Sequence, residues 1–481
     1  MSFDMNIPDH WCWATIAEVQ SNEKRSTITG PFGSSIGKKF FVEHGVPVIR
    51  GNNLSLGSDK FKDEGFVFVS EGKAEELQGY KAFKNDLIFT AAGTIGQVGI
   101  IPEKSKYEFY IISNKQMRAR FDTDIVDPMF AYYWFSSPWM VDFIKRHDTG
   151  STIPLINLGV LRALPMPLPP LAEQITIRQY LCTIDDKINN NRNINQTLEQ
   201  MAQALFKSWF VDFEPVKGKM AVLEAGGSQE DATLAAMTVI SGKDADALAV
   251  FEREHPEHYA ELKATAELFP CAMQDSELGE IPEGWRLGPL SDIAIFANGK
   301  VEVSSLTVDT YISTENMLEN RAGISTASSL PSVNNVPDFK RGHVLISNIR
   351  PYFKKIWLAR FEGGRSADVL AFEARNSVTV EFIYNLLYQE SFFDFMMLTS
   401  KGVKMPRGDK KAIMGWQCIC PEKEISHAFS TAVGKYYSFI ESNNAQDKTL
   451  TQLRDTLLPK LLSGEITLPE AEQAISEVQN V

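Results

Sequence analysis

The chain has 481 residues, 44% of them hydrophobic and 23% charged, with a formal net charge of −13. That balance is typical of globular protein, and no stretch approaches the ~18 uninterrupted apolar residues that a membrane helix needs. The beginning, with Asp4 and Asp9 and no basic-then-apolar run, does not read as a signal peptide, and five scattered cysteines suit reduced thiols in the cytoplasm better than a disulfide framework.

Residues 1–170 read as a mixed, strand-rich domain. Short apolar runs such as Val46 to Ile49 and Leu87 to Phe89 are punctuated by Gly51, Asn52, Asn53, Gly93, Gly96 and Gly99. Aromatic and apolar residues between Phe130 and Ile144 fall at helical spacing, and the prolines at 165, 167, 169 and 170 make a stiff exit. Residues 171–213 predict one long helix of about 39 residues, roughly 58 Å. Its apolar positions include Ile177, Leu181, Ile184, Ile188, Ile194, Leu198, Met201 and Leu205, and it ends in Phe206, Trp209, Phe210 and Phe213.

Residues 214–280 read as an acidic helical connector, with helical stretches around 231–240 and 244–268 forming a solvated hairpin. His255 and His258 there lack a third ligand, so a surface helix cap is favoured over a metal site. A second globular domain spans 281–425. Its Cys418 and Cys420 read as same-face strand residues, since no second cysteine pair completes a metal site. A second long helix covers 426–465, through Val433, Tyr436, Ile440, Leu450, Leu453, Leu457, Leu461 and Leu462, and a tail covers 466–481.

The two halves repeat. Ile7, Pro8 and Trp11 return as Ile281, Pro282 and Trp285 at an offset of 274. Asp142, Phe143, Gly150, Pro154, Thr197 and Leu198 return as Asp394, Phe395, Gly402, Pro406, Thr449 and Leu450, all at 252, so the second copy is 22 residues shorter inside its globular part. Two copies of domain size exclude a solenoid. Each long helix needs a partner, and equal register in the copies favours pairing with each other. A pseudo-twofold relation would make that pairing antiparallel. Asn191, Asn195, Asn444 and Asp447 would lie mid-seam, where polarity fixes register. The expected fold class is therefore α+β: two globular mixed α/β domains held apart by two long antiparallel helices in a coiled coil, with internal pseudo-twofold symmetry.

The acidity is concentrated. Residues 211–283 carry a net −11, whereas 1–170 carry −1 and 284–425 carry +2, so the global charge leaves each globular copy free to present a basic face.

Gly30-Pro31-Phe32-Gly33-Ser34-Ser35, Gly45-Val46-Pro47-Val48-Ile49-Arg50-Gly51-Asn52, Gly93-Thr94-Ile95-Gly96 and Leu168-Pro169-Pro170-Leu171-Ala172-Glu173-Gln174 follow one another in the first copy. The helix ends read Ala204 to Phe213 and Leu457 to Ile466. In order, spacing and doubling the chain resembles the specificity subunit of type I restriction-modification enzymes over almost its whole length. The resemblance implies two target recognition domains, each reading one half of a bipartite, asymmetric double-stranded DNA site. The helices would set the spacing and dock two methyltransferase subunits, and up to two restriction subunits would join. Chemistry would then sit in the partners, with S-adenosylmethionine on the methyltransferase, ATP and magnesium on the restriction subunit, and no cofactor or catalytic residue on this chain. Consistent with that, the sequence has no N-P-P-F or D-P-P-Y motif and no Walker A loop. The nearest approach, Gly33 to Gly37 before Lys38 and Lys39, has three residues between its glycines where four are needed.

Basic and amide side chains on loops are the candidate DNA contacts. In the first copy these are Lys38, Lys39, Arg50, Asn52, Asn53, Asn114, Lys115, Gln116, Thr149, Ser151 and Thr152. In the second they are Asn316, Asn348, Arg350, Lys354, Lys355, Lys404, Arg407, Lys410 and Lys411, with Ser313 to Asn316 aligned opposite Arg50 to Asn53. The stretch 93–99 has no glycine counterpart in 348–357, so the second copy is expected to differ there in detail. Phe206, Trp209, Phe210, Leu461 and Leu462 are the candidate methyltransferase contacts. Two alternatives stand beside the main reading: a specificity subunit of a related system that cuts on both sides of its site, and a non-catalytic adaptor that binds protein.

Overall fold

The computed structural model describes residues 7–55, 60–150, 152–277, 279–463 and 465–479, except the side chains of 462, 463, 478 and 479. It divides into two compact units, Met1–Arg192 with Asn443–Val481, and Asn193–Ser442. The two are built on one plan.

In the first unit an antiparallel strand pair, Cys12–Thr15 with Pro165–Leu168, brings the ends of the globular domain together. Inside lies a four-stranded antiparallel sheet in the order Thr27–Thr29, Gln116–Ala119, Leu87–Thr90, Val98–Ile100. The strand Leu87–Thr90 is buried on both faces and shows the period of two expected of a strand. Leu87 and Phe89 face a core shared with the helix Pro128–Ser136, and Ile88 faces a second core with Ile49, Leu54 and Tyr110. A five-stranded sheet covers that second core, in the order Phe41–Val42, Val67–Val69, Val46–Ile49, Tyr110–Ile112, Lys81–Ala82, with Val46–Ile49 and Tyr110–Ile112 parallel.

The second unit repeats this. Arg286–Pro289 pairs with Gln417–Cys420, so Cys418 and Cys420 are strand residues with buried side chains. The antiparallel sheet runs Ala294–Phe296, Val369–Ala374, Val344–Ser347, Ile356–Leu358, the same order as in the first unit. Val344 and Ile346 face one core and Leu345 the other. A parallel pair recurs as Tyr311–Ile312 with Gly363–Arg365. What changes is its surroundings. The strands Phe41–Val42 and Val67–Val69 flank the parallel pair on one side in the first unit, whereas Asn335–Phe339 and Lys300–Glu302 flank the other side in the second. The 22-residue shortening is thus a rebuilt outer sheet on a retained inner one.

The long helices span Leu171–Phe210 and Lys423–Ser463, 40 and 41 residues. In the first unit their segments pair antiparallel. Asp185 meets Arg454 at 3.2 Å, and six residues later in one helix and seven earlier in the other Asn191 Nδ2 donates to Asp447 Oδ1 at 2.8 Å and Gln446 Oε1 at 2.9 Å. Ile177, Leu181, Ile184 and Ile188 are buried in one core with Leu450, Leu457 and Leu461. In the second unit Phe206 and Phe210 pack on Phe429 of the other long helix. The predicted apolar seam is not continuous, since Ile194 and Met201 are 41% and 46% exposed.

Among its described residues the connector holds four helices, Glu214–Glu224, Gln229–Ser241, Ala245–Glu254 and Pro256–Glu267. Pro256 splits the stretch expected to run from 244 to 268, because its ring removes a backbone donor and its predecessor His255 leaves helical geometry at φ −137°. The connector is not wholly a solvated hairpin either. Val216 and Phe269 join the second unit's core, and Lys219 is buried there with its amine donating to the Phe269 carbonyl at 2.6 Å.

The aromatic end of the first helix corrects the expectation of a docking surface. Phe206, Trp209 and Phe210 are at most 3% exposed. Phe210 meets Phe382 edge-on at 4.9 Å and Trp209 meets Phe269 at 5.1 Å. These rings hold the second globular domain and connector onto the helix, leaving no surface for a partner. Leu461 is likewise buried, at 4%. The side chain of Leu462 lies outside the described residues. Among the described residues no helix is long and apolar enough to cross a membrane.

Candidate nucleic-acid interface

Sheet geometry gathers the loops. In the first unit Gly30 N–H donates to the Gln116 carbonyl, Ser113 to Ile49, Ala91 to Lys115, Gly93 to Pro154, and Ile156 to Ala91, all between 2.7 and 3.0 Å. Five loops, near 30, 50, 92, 114 and 152, are thereby stitched into one face. Gly30 has a steric reason, since a Cβ there would collide with the Ser113 carbonyl. The hairpin tip near 152 is held by Asp148, whose carboxylate accepts from Gly150 and Leu155 N–H at 2.8 Å each. Those two backbone donors hold the carboxyl below the usual range.

The second unit makes the same stitches: Ser366 N–H to Ile312, Asn348 to Asp368, Arg350 to Pro406, and Gly408 to Asn348. These pairs align Arg350 with Gly93, and the strand registers beyond the loop, Phe89 with Val98 and Ile346 with Ile356, place Lys354 opposite Gly96, so the second loop carries one extra residue. Gly93 and Gly96 have φ of +100° and +92°, and Arg350 and Lys354 both have φ of +49°. The difference in detail expected at 348–357 is this extra residue together with the loss of the glycines. The backbone keeps its left-handed positions although the glycines are gone, at a cost of about 1–2 kcal/mol per residue.

The candidate contacts divide on burial. Asn53 and Asn316 are 0% and 4% exposed and do identical work. Asn53 Oδ1 accepts from Arg50 N–H at 3.0 Å, and its amide donates to the carbonyls of Lys62 and Glu64. Asn316 Oδ1 accepts from Ser313 N–H at 2.6 Å, and its amide donates to Tyr311 and Ser325. The alignment of these loops holds, but both amides are spent on their own loops and have none left for a base edge. Gln116, 1% exposed, accepts from the Ser113 hydroxyl, and Asn348, 6% exposed, donates to the Gly408 carbonyl at 3.2 Å. These four are corrected from surface contacts to supports of the face.

Other cations find acceptors within the fold. Lys354 pairs with Glu390 at 2.5 Å, Arg407 with Asp368 at 3.1 Å, and Lys355 donates to the Thr314 carbonyl at 2.8 Å. The side chains of Lys38, Lys39, Asn52, Asn114, Lys115, Thr149 and Thr152 are exposed, as are those of Lys404, Lys410 and Lys411. Ser151 lies outside the described residues. Arg50 and Arg350 are half-buried, and each has its Nε enclosed without a hydrogen-bond partner. The sequence reading, which sought polar residues, passed over the apolar loop tips. Phe32 is 85% exposed and Val403 wholly exposed. Their signal was an apolar residue set among turn residues.

Comparison with known proteins gives this face its context. A family model described as type I restriction modification DNA specificity domain matches residues 33–200. The HindI type I restriction enzyme specificity subunit of Haemophilus influenzae is 30% identical over 383 residues, covering 74% of this chain and 81% of that one. The chain belongs to the type I restriction enzyme specificity subunits. The MjaIX specificity subunit of Methanocaldococcus jannaschii is 24% identical over 431 residues, 84% of each chain. The crystal structure of the type I S subunit from M. genitalium is 16% identical, covers 96% of this chain and 98% of that one, and superposes with a TM-score of 0.47. In this specificity subunit the exposed Lys38, Lys39 and Lys115 fall within the matched residues 33–200.

Proposed function

We propose that this specificity subunit recognises a bipartite, asymmetric double-stranded DNA site, one half with each stitched face. It carries no chemistry of its own and acts within a complex holding two methyltransferase subunits and up to two restriction subunits. S-adenosylmethionine would be bound by the former, and ATP and magnesium by the latter. The observation that carries the reading is that two copies of one loop scaffold bear different exposed side chains, as two unlike half-sites require. Exposed Lys38, Lys39 and Lys115 in one copy and Lys404, Lys410 and Lys411 in the other supply phosphate contacts. Binding to duplex DNA should therefore weaken steeply with salt, and mapping methylated adenines by single-molecule sequencing should reveal one two-part motif. Binding without sequence preference or salt slope would reject the reading in favour of a protein-binding adaptor.

The long helices set the spacing between half-sites and carry the methyltransferase subunits. With Phe206, Trp209 and Phe210 buried, docking falls to apolar side chains left outside: Ile194 and Met201 on the first helix and Phe439 on the second, the last 52% exposed. Met201→Glu and Phe439→Glu should abolish co-purification with the methyltransferase without lowering the melting temperature. Undiminished assembly of both would remove this surface from the interface.

A further inference from the structure

Among the candidate cations of the two faces, two differ from the rest. The exposed lysines are mobile point charges, and the half-buried cations Lys354 and Lys355 already have an acceptor within the fold. Arg50 and Arg350 combine partial burial with an unsatisfied Nε: it is enclosed without an acceptor in each, and among the described residues no ion pair to a carboxylate relieves either side chain. A buried donor left unmade is costly, and each one retained asks for an explanation; with the Nε enclosed, the terminal nitrogens are the ones that can meet a ligand.

The two residues also sit in loops the fold holds rigid. Arg50 N–H is bonded to Asn53 Oδ1, and the preceding residue is stitched by Ser113 N–H to the Ile49 carbonyl. Arg350 N–H is bonded to the Pro406 carbonyl at 2.8 Å, and the Arg350 carbonyl accepts from Phe353 N–H at 3.0 Å. Arg350 moreover occupies a left-handed backbone position that the first copy fills with Gly93. A non-glycine residue retained in that conformation points to a use for its side chain. The two copies do not place their arginine alike. Arg50 aligns with Ser313, and Arg350 with Gly93, so each face has one such arginine, on the loop near 50 in the first and on the loop equivalent to 92 in the second.

We propose that Arg50 and Arg350 each read a guanine through its O6 and N7 edge, one in each half-site and at non-equivalent positions. The proposal rests on the DNA-recognition reading above. A planar guanidinium fork carried on a pinned backbone suits that bidentate edge, whereas a phosphate is served as well by a loose lysine. Rigid support is what separates base reading from phosphate binding.

The test uses the full chain in its complex with the methyltransferase, first on wild type to fix the motif, then on Arg50→Gln, Arg350→Gln and Arg350→Gly. Competition binding against duplexes changed one base pair at a time should show each variant losing roughly ten- to hundredfold discrimination at a single G·C pair. Arg50→Gln should affect one half-site and both Arg350 variants the other. Arg350→Gly restores the glycine of the first copy. It should melt no lower than wild type while still losing discrimination, so misfolding cannot explain the loss. A uniform weakening on all duplexes, with the salt slope reduced by about one, would assign the arginines to phosphates and overturn the proposal. Unchanged discrimination in both glutamine variants would overturn it too. A wild-type complex that prefers no duplex fails the recognition reading itself, a result visible before any variant is measured.

Discussion

Asn53 and Asn316 show how much of each face rests on one side chain. Each amide caps its own loop through three hydrogen bonds from a buried position, and removing it strands the donor of Arg50 or Ser313. Asn53→Ala and Asn316→Ala should each destabilise their own unit by about 2 kcal/mol, read from denaturant unfolding followed by a probe in that unit. A loss below about 0.5 kcal/mol would mean that water replaces the side chain. Glu199 gives a pH signature of opposite kind to the usual carboxylate. One of its oxygens is enclosed without a partner, and burial raises its pKa against the hydroxyl of Tyr384 and the charge of Arg360, which lower it. The folded carboxyl therefore holds its proton after the unfolded one, near pH 4.3, has released it. Stability from this group is lost as pH rises above about 4.3 until the folded group also ionises. Glu199→Gln should flatten that decline in melts between pH 4 and 8, and an unchanged slope would clear Glu199 of the effect. Sequence alone marked these loops but not the roles within them. An asparagine after a short strand reads the same whether its amide turns inward to cap or outward to a base. Only the carbonyls of Lys62 and Glu64, or of Tyr311 and Ser325, decide.

At the scale of elements, the helix pair of the first unit is pinned by polar groups set in an apolar seam. Asp185, 5% exposed in its side chain, accepts from Tyr133 at 2.6 Å and pairs with Lys60 at 3.0 Å and Arg454 at 3.2 Å, joining both long helices to the globular domain. Asp185→Ala would leave the Tyr133 hydroxyl and Lys60 without this partner, while Arg454 retains Asp455 at 2.9 Å. That residual pairing places the expected loss near the lower end for a broken buried pair, about 3 kcal/mol. Thermal melts of the variant would check it, and a fall under 1 kcal/mol would show the cluster to be solvated. The helices were legible because apolar residues spaced three and four apart across 40 positions line one face of a helix and scatter over both faces of a strand. Asn191 and Asp447 were legible as interruptions of that stripe. The fate of the aromatic end was not. A cluster such as Phe206, Trp209 and Phe210 looks the same in sequence whether it covers its own domain or awaits a partner, and the rings that bury it, Phe269, Phe382 and Phe429, are 59 or more residues away. The glycine stretch was legible only in part, for a related reason. Arg350 N–H donates to the Pro406 carbonyl and Lys354 N–H to the Pro351 carbonyl, so both residues hold left-handed positions without glycine, on a loop one residue longer than its counterpart.

For the molecule as a whole, the repeat along the chain does not coincide with the division in space. The second unit is one continuous stretch, Asn193–Ser442, but the first takes its last segment from the far end of the sequence. Leu450, Leu457, Leu458, Leu461, Ala471 and Ile475 are all buried in the same core as Ile177, Leu181, Ile184 and Ile188. Burying such side chains stabilises by about 1.5–3 kcal/mol each, on the order of 10 kcal/mol together. That sum is comparable with the entire stability of a domain. Ending the chain after Ser442 should therefore unfold the first unit while leaving the second close to its original melting temperature, because no described residue after 442 belongs to the second unit's core. Limited proteolysis would be the direct measurement: residues 7–192 should become rapidly cleaved and a fragment spanning 193–442 should persist. If both units resist protease after the truncation, the C-terminal helix is an accessory to the first core and not part of it. Loss of both would mean that the units fold as one, and a variant in either would then alter both half-sites at once.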